Sequence, residues 1–507
     1  MTDQKTPVQN EPTETAPDSE VVATLAPDAP EHSRRNTIVI ALLLVSTFVV
    51  FLNETVMNVA LPPIMDDLGV PPSVGQWLTT AFLLTMAVVI PTTGFLLQRF
   101  NTRTVYLAAM LLFSTGTLVA ALAPTFGVLV AGRVVQASGT AIMLPLLMTT
   151  VLTLVPPRDR GRIMGRVSIV ISVAPAIGPS VSGLILNAFD WRFIFWLVLP
   201  LALGAVVLGA LRMQNVTESR ALPLDVLSVI LSAFAFGGLI YGLSSLGEAV
   251  RGTVAVQPWI PILVGGVAMV AFVLRQIARQ RTDSALLDLR VFQSRDYTIS
   301  VALLCVSMLA LFGTIILLPI YVQNVLKLEP IVIGLLLLPG GLLMGLLGPI
   351  VGRLVDRFGP KVLVVPGTII ISAVFWSMTL LNENSSFWWV LVAHIALSLG
   401  LALLFTPLFA AGLGALKPHL YSHGSAIVTT LQQVAGAAGT ALFIALMVFQ
   451  STALEAQGVG EVPALAGGIH LAFMFGGGLS MAAIVLAFFV RKPAVQEHAD
   501  AGDWGGH

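Results

Sequence analysis

Three ionisable side chains, Glu54, Arg133 and His394, sit deep inside apolar stretches of the 507-residue sequence. A charge near the centre of a hydrocarbon layer costs ~2.5–3.5 kcal/mol even on lenient insertion scales, so each one needs a reason. In a poorly solvated pocket, burial favours the neutral carboxyl and a neighbouring guanidinium favours the carboxylate. A glutamate under both influences can exchange a proton as a cationic ligand arrives or leaves. The competing reading of Glu54 and Arg133 is a buried ion pair that only pins helices together. His394 has a packing reading as well, as a hydrogen-bonded histidine on an apolar helix. Asp225, at the start of another apolar stretch, reads as a helix N-terminal acid. The amides Asn53, Asn58, Gln136, Gln432 and Gln433 lie in similar stretches. With His394 they form the candidate lining of a substrate cavity.

The elements that must position these groups are membrane helices. The chain is 56% hydrophobic and 10% charged, with a mean hydropathy of +0.91, which marks a polytopic membrane protein. A lone cysteine, Cys305, excludes a disulfide framework within the chain and any CxxC metal site, and reads as packing. Apolar windows of about 20 residues each place fourteen spans. They run over 37–61, 76–97, 104–123, 126–147, 163–187, 191–212, 223–246, 257–277, 297–325, 331–353, 361–381, 386–411, 422–449 and 468–490. Residues 1–36 carry seven acidic side chains and little bulk, and read as a disordered tail without a signal-peptide pattern. Residues 491–507 form a second polar tail.

Lysine and arginine fix the sidedness. With both termini cytoplasmic, 22 of the 26 basic residues fall in cytoplasmic segments, while Arg192, Arg251 and Lys327 fall outside. On this topology Glu54 and Arg133 each lie ~10 Å below the outer end of their spans, and His394 ~12 Å, at 1.5 Å rise per residue. One level for three nonadjacent spans predicts a shared cavity in the outer half.

A repeat then divides the bundle. Gly94-Phe95-Leu96-Leu97-Gln98-Arg99-Phe100-Asn101-Thr102-Arg103 returns 258 positions later as Gly352-Arg353-Leu354-Val355-Asp356-Arg357-Phe358-Gly359-Pro360-Lys361. Both copies are short basic turns between spans, after spans 2 and 10. Equivalent loops in two halves are the pattern of a duplicated transporter bundle. A six-plus-six bundle would separate the copies by six spans. Eight spans separate them here, so two extra helices intervene. The expected units are an N-terminal six-helix bundle over 37–212, two linker spans and a loop over 213–296, and a C-terminal six-helix bundle over 297–490. In span 5, Pro175, Gly178, Pro179 and Gly183 make a small, bent face, and Gly436 and Gly439 make a comparable one in span 13.

These residues resemble the major facilitator superfamily, in its fourteen-helix branch of drug:proton antiporters that includes lincomycin-resistance-type pumps. The resemblance covers roughly residues 37–490. The cytoplasmic gate motif of that family, G-x-L-x-D-R-x-G-R/K-R/K, is matched by Gly352, Leu354, Asp356, Arg357, Gly359 and Lys361. The first copy keeps Gly94, Arg99 and Arg103 but has Gln98 for the aspartate and Asn101 for the glycine. Arg133-Val134-Val135-Gln136-Ala137-Ser138-Gly139 is similar to the span 4 motif whose arginine the family associates with proton coupling. Gly178-Pro179-Ser180-Val181-Ser182-Gly183 resembles the span 5 antiporter motif, and Trp191-Arg192-Phe193-Ile194-Phe195 with Pro200 resembles the start of span 6. Leu52-Asn53-Glu54-Thr55 departs from the branch's usual L-D-x-T, with the acid moved by one residue.

The resemblance implies an all-α bundle that exports amphipathic or cationic compounds in exchange for protons, with Glu54 and Arg133 as the coupling pair. The alternative on the same scaffold is a dedicated exporter of one metabolite, such as a siderophore, lipid or amino acid. No G-x-x-x-x-G-K-[ST] loop occurs, so an ion gradient is the natural drive. No nucleophile–base or metal constellation suggests an enzyme. The expected partners are a small-molecule substrate, protons and the lipid bilayer, with no nucleic acid, cofactor or metal. The chain reads as a monomer of the cell membrane.

Overall fold

The computed structural model describes residues 30–216, 223–246 and 256–491. Residues 1–29 and 492–507, and Arg251, lie outside the described residues. Fourteen long helices follow one another: α1 Pro30–Leu68, α2 Trp77–Arg99, α3 Thr102–Ala121, α4 Phe126–Leu154, α5 Arg160–Ala188, α6 Arg192–Arg212 and α7 Val226–Ser244. Then come α8 Trp259–Gln280, α9 Arg295–Ile320, α10 Pro330–Phe358, α11 Lys361–Met378, α12 Phe387–Gly414, α13 Tyr421–Ala456 and α14 Glu461–Ala487. Each expected span has its helix, and among the described residues fourteen are long and apolar enough to cross a membrane. Hydrocarbon offers no partner for backbone polar groups, so uninterrupted helices are the local solution.

Helix ends differ from the hydropathy windows where polar contacts carry a helix past the apolar run. α1 starts at Pro30, inside the segment read as tail, and continues through Pro62 and Pro63 to Leu68. The extension is clasped at its far end. Asp67 Oδ2 accepts hydrogen bonds from the indole of Trp191 (3.0 Å) and from Arg192 (2.9 Å), while Arg192 also donates to the Ala123 carbonyl (3.3 Å). Three connections of one half are thereby tied together beyond the spans.

Helices α1 to α6 pack as one half and α9 to α14 as the other. The halves meet along two seams, α5 against α10 and α2 against α13. The α5–α10 seam is built from glycine. A Cβ on Gly352 would lie 2.1 Å from the Gly161 carbonyl oxygen, and one on Gly165 2.2 Å from that of Gly348. Small residues at helical spacing let the two backbones touch, which is how helices adhere without a hydrophobic drive between them.

The inserted pair occupies the other seam. α7 packs on α8, on α2 and on α13, so it bridges both halves. At one end Trp77 of α2 stacks on Tyr241 of α7, with ring centroids 6.1 Å apart. At the other end Asp225 N-caps α7 through Ser228 and pairs with Arg275 (2.7 Å) and Arg279 (3.1 Å) of α8. That is the N-terminal acid expected of it. Gln276 of α8 donates to Ser228 (2.8 Å) and accepts from the Leu287 amide (3.2 Å), fastening the α8–α9 connection beneath the pair. Burial there disfavours the ionised Asp288 carboxyl, but hydrogen bonds from Arg290 outweigh it and hold the group below the usual carboxylate range.

Candidate functional site

Arg133 is the focus of the N-terminal half. It is 2% exposed and joins four helices. Its guanidinium donates to Asn53 Oδ1 of α1 (3.3 Å) and to Gln136 Oε1 one turn along α4. Gln136 in turn donates to Thr117 of α3 (2.7 Å), and the guanidinium plane lies 4.1 Å from the ring centre of Phe82 of α2. Hydrogen bonds and a cation–π contact thus replace the water that a buried cation has lost.

Asn53 and Gln136, expected to line a cavity, are both fully buried and serve Arg133 instead. Glu54 follows Asn53 on α1, half-buried, and lies within electrostatic reach of Arg133. Among the described residues the two form no direct ion pair, and the guanidinium's hydrogen bonds go to Asn53 and Gln136. Glu54 Oε2 and Arg133 Nε are both buried without a hydrogen-bond partner. A carboxyl beside a positive charge but not locked to it can change its protonation state without dismantling a salt bridge. Thr55, next in the helix, fits against Gly178 of α5, where a Cβ would lie 2.2 Å from Thr55 Oγ1. This contact fixes the rotation of α1 and so the direction of Glu54.

His394 does not join this group. It is 4% exposed and packs within the C-terminal half against α10, where a Cβ on Gly340 would lie 2.8 Å from its Nε2. The expected three-helix convergence is therefore corrected to Glu54 and Arg133 alone. Depth along a helix can be counted from sequence, whereas the direction a residue faces depends on packing. Gln433 reaches across the α2–α13 seam, its Nε2 3.9 Å from the sulfur of Met86. Gln432 is buried with Nε2 unpartnered. Asn58 lies on α1, and its side chain is outside the described residues.

The two basic turns dock at one end of the bundle in related ways. Asp356 accepts the backbone amides of Gly161 and Arg162, both at 2.8 Å, at the N-terminus of α5. Its charge meets the positive end of a helix dipole on the opposite half. Gln98 reaches the N-terminus of α13 in the same manner, but donates to Ser422 Oγ (3.0 Å) and contacts the His423 ring. One lock is charged and capped on backbone, and the other is neutral and made between side chains. Gly94 and Gly352 admit the facing helices, Gly94 lying under His423. Arg99 is half-buried at the end of α2, and Arg357 is exposed over the Phe358 ring (5.1 Å). Arg103 donates to the Ala210 carbonyl of α6 (2.7 Å), and Lys361 lies over Phe488 beyond α14 (5.8 Å). These two basic residues brace each turn to its own half rather than to the other.

The backbone explains why the copies differ at their eighth residue. Gly359 has φ +82°, while Asn101 is extended at φ −64°. Only the second turn needs a residue without Cβ. Gly359→Ala is expected to lower stability by about 1–3 kcal/mol, and Asn101→Ala to be close to neutral; thermal melts of the two variants compare them directly.

Further contacts close the same end. Arg160, which sequence reading used only for sidedness, donates to the Leu152 carbonyl (2.9 Å) and to Tyr421 Oη (3.0 Å), linking α4 to the start of α13. Thr149 and Ser425 meet at 2.7 Å. Contact along α10 extends to Gly341 against Ala176, ~25 Å from the Phe358 end at 1.5 Å per residue. Beyond it, a Cβ on Gly183 of α5 or on Gly334 of α10 would have no neighbour within 4 Å. The close contacts described between α5 and α10 thus run from the basic-turn end to Gly341 and Ala176. α5 stays helical through Pro175 and Pro179, with Thr55 donating to the Ala174 carbonyl (3.4 Å).

The chain is similar to known proteins in sequence and in fold. The Major Facilitator Superfamily profile matches residues 43–440. Lincomycin resistance protein LmrB of Listeria monocytogenes is 41% identical over 459 residues, covering 90% of this chain and 96% of that protein. Multidrug resistance protein B homolog of Mycobacterium tuberculosis is 32% identical over 399 residues, covering 78% of this chain and 73% of that protein. Among solved structures, the proton:xylose symporter XylE superposes with a TM-score of 0.62 at 14% identity, covering 91% of this chain and 97% of that one. With fourteen membrane helices, two facing halves and a profile match over most of its length, this chain belongs to the major facilitator superfamily.

Proposed function

We propose that the protein is a drug:proton antiporter of the cell membrane, with both termini cytoplasmic, that exports amphipathic or cationic compounds by alternating access. The observation that carries the reading is Glu54, a half-buried carboxyl within reach of Arg133 whose buried Oε2 has no hydrogen-bond partner. Proton and cationic substrate compete for such a group, and competition for one charge is the minimal chemistry of exchange. The names of the relatives, lincomycin and multidrug resistance proteins, support export of drugs. On this reading the basic-turn end faces the cytoplasm and the structure is an outward-facing state. Asp356 and Gln98 then act as gate contacts, and the Gly178–Thr55 contact carries motion of α5 to the helix that bears Glu54. The protein acts as a monomer.

Reconstitution into liposomes with an imposed pH gradient tests this. Uphill movement of cationic dyes or quaternary amines, abolished by collapse of the gradient, is expected. Transport that ignores the gradient would exclude proton coupling. Across a panel of dyes and antibiotics, protection by expression in a sensitive host supports a broad exporter, and protection against none supports a dedicated one.

Arg133 supplies a further test. Arg133→Ala removes the charge that favours ionised Glu54 and leaves the acceptors on Asn53 and Gln136 unpaired, about 1–3 kcal/mol for each buried group. Proton release then requires a more alkaline interior, so residual transport shifts to higher pH. Arg133→Lys keeps the charge but loses the planar fork, and falls between the two. Unchanged pH profiles in both variants would separate Arg133 from coupling.

A further inference from the structure

The two basic turns end on equivalent residues, and the two are satisfied differently. Arg103 is held by protein, through the Ala210 carbonyl and, at its backbone amide, the side chain of Asn215 (3.2 Å). Lys361 occupies the same place in the second half, but no protein acceptor meets it among the described residues. Its ammonium lies over Phe488 and opens onto a cleft of about 300 Å³ between the α10–α11 turn and the end of α14. Arg491 lines the cleft from the α14 side. Arg295, at the start of α9, sits over the ring of Phe489 at 5.4 Å. None of the three cations pairs with a carboxylate among the described residues, and Asp356 is turned away toward α5. The cleft walls are apolar and exposed: Phe358 is 54% accessible, Phe488 52% and Phe489 45%.

We propose that this cleft binds the phosphate headgroup of an acidic phospholipid in the leaflet at the basic-turn end. Lys361 supplies a point charge and Arg491 a fork for phosphate oxygens. The N-terminus of α11 begins at Lys361 and adds the positive end of its dipole. Phenylalanines exposed beside these cations suit the glycerol and upper acyl carbons, a pairing that a soluble anion would not use. Basic clefts between helices at this level are lipid-headgroup sites in chemistry and in depth. The ligand then bridges the gate turn and the last helix, as the Arg103–Ala210 bond does in the first half.

Native mass spectrometry of the full-length protein in mild detergent tests the site with phosphatidylglycerol, with phosphatidylcholine of the same acyl chains, and with inorganic phosphate. The wild type is expected to retain phosphatidylglycerol at least about fivefold over phosphatidylcholine, a difference of ~1 kcal/mol. Arg491→Glu is expected to abolish the preference and Arg491→Lys to keep it. Arg281→Glu, the same charge change on an exposed residue elsewhere at this end, is expected to leave it intact. Equal retention of both lipids by the wild type, or an undiminished preference in Arg491→Glu, would overturn the proposal. Displacement of the lipid by millimolar inorganic phosphate would overturn the lipid assignment in favour of a soluble anion.

Discussion

Glu54→Gln abolishes uphill export driven by a proton gradient while downhill exchange of substrate persists. The substitution keeps the side chain's size and hydrogen-bonding capacity and removes only its titratable charge. Glu54 is half-buried on α1 with one carboxyl oxygen unpartnered, so the glutamine amide is accommodated without breaking an existing hydrogen bond. The Arg133 network remains, because Asn53 and Gln136 supply its direct contacts. Loss of transport in this variant therefore cannot be put down to a collapsed core. Affinity for a cationic substrate is expected to fall roughly tenfold (~1.4 kcal/mol), the scale on which a charge-assisted contact exceeds a neutral one. Two measurements separate binding from coupling: equilibrium binding of a cationic dye, and its accumulation against a gradient in liposomes. Undiminished uphill transport by Glu54→Gln would remove Glu54 from the mechanism and leave it a structural residue.

Asp356→Asn disturbs the closed basic-turn end more than Gln98→Ala. Asp356 accepts two backbone amides at 2.8 Å on the N-terminus of α5. Asparagine keeps one acceptor, points an amide N–H at the remaining donor, and surrenders the charge. Loss of the helix-dipole interaction alone is worth ~0.3–1 kcal/mol, and up to ~2 in partly buried geometry. A charge-assisted hydrogen bond adds about 1.5–3 kcal/mol. Gln98 offers two neutral hydrogen bonds, to Ser422 and to the His423 ring, ~0.5–1.5 kcal/mol each. The closed population should therefore shift by roughly one to three orders of magnitude in Asp356→Asn, and by about one order less in Gln98→Ala. Spin-label distances between the α2–α3 and α10–α11 turns report the population, and transport rates report its consequence. Equal damage from the two substitutions would refute the asymmetry. That outcome would assign the lock to contacts both variants retain, such as Arg160 with Tyr421 and Thr149 with Ser425.

Much of this was legible in the amino-acid order alone. Hydropathy places all fourteen helices, because in hydrocarbon a helix is the only local way to pair every backbone group. The ten-residue repeat identifies the two turns as equivalent and shows two helices inserted between the halves. The replacement of Asp by Gln98 marks in advance which of the two turns makes a neutral contact, since residue type alone decides whether a charge is present. Helix ends were less legible. α1 runs on to Leu68 because Trp191 and Arg192, more than a hundred positions away, clasp Asp67.

Two facts wait on the tertiary structure. Counting at 1.5 Å per residue puts Glu54, Arg133 and His394 at one level, yet His394 faces Gly340 inside its own half and Asn53, not Glu54, makes the direct contact with Arg133. The position of the inserted helices is equally unreadable from the chain, although Trp77 on Tyr241 and Leu287 on Gln276 fasten them over the α2–α13 seam. Sequence by itself determined the number of helices, the duplicated turn and which charges are buried. These follow from the free energy of single segments and side chains in water or lipid. The tertiary structure alone decided which buried groups meet. The direction in which a helix faces its neighbours is set by close packing among residues distant in the chain, such as Thr55 against Gly178 and Gly161 against Gly352.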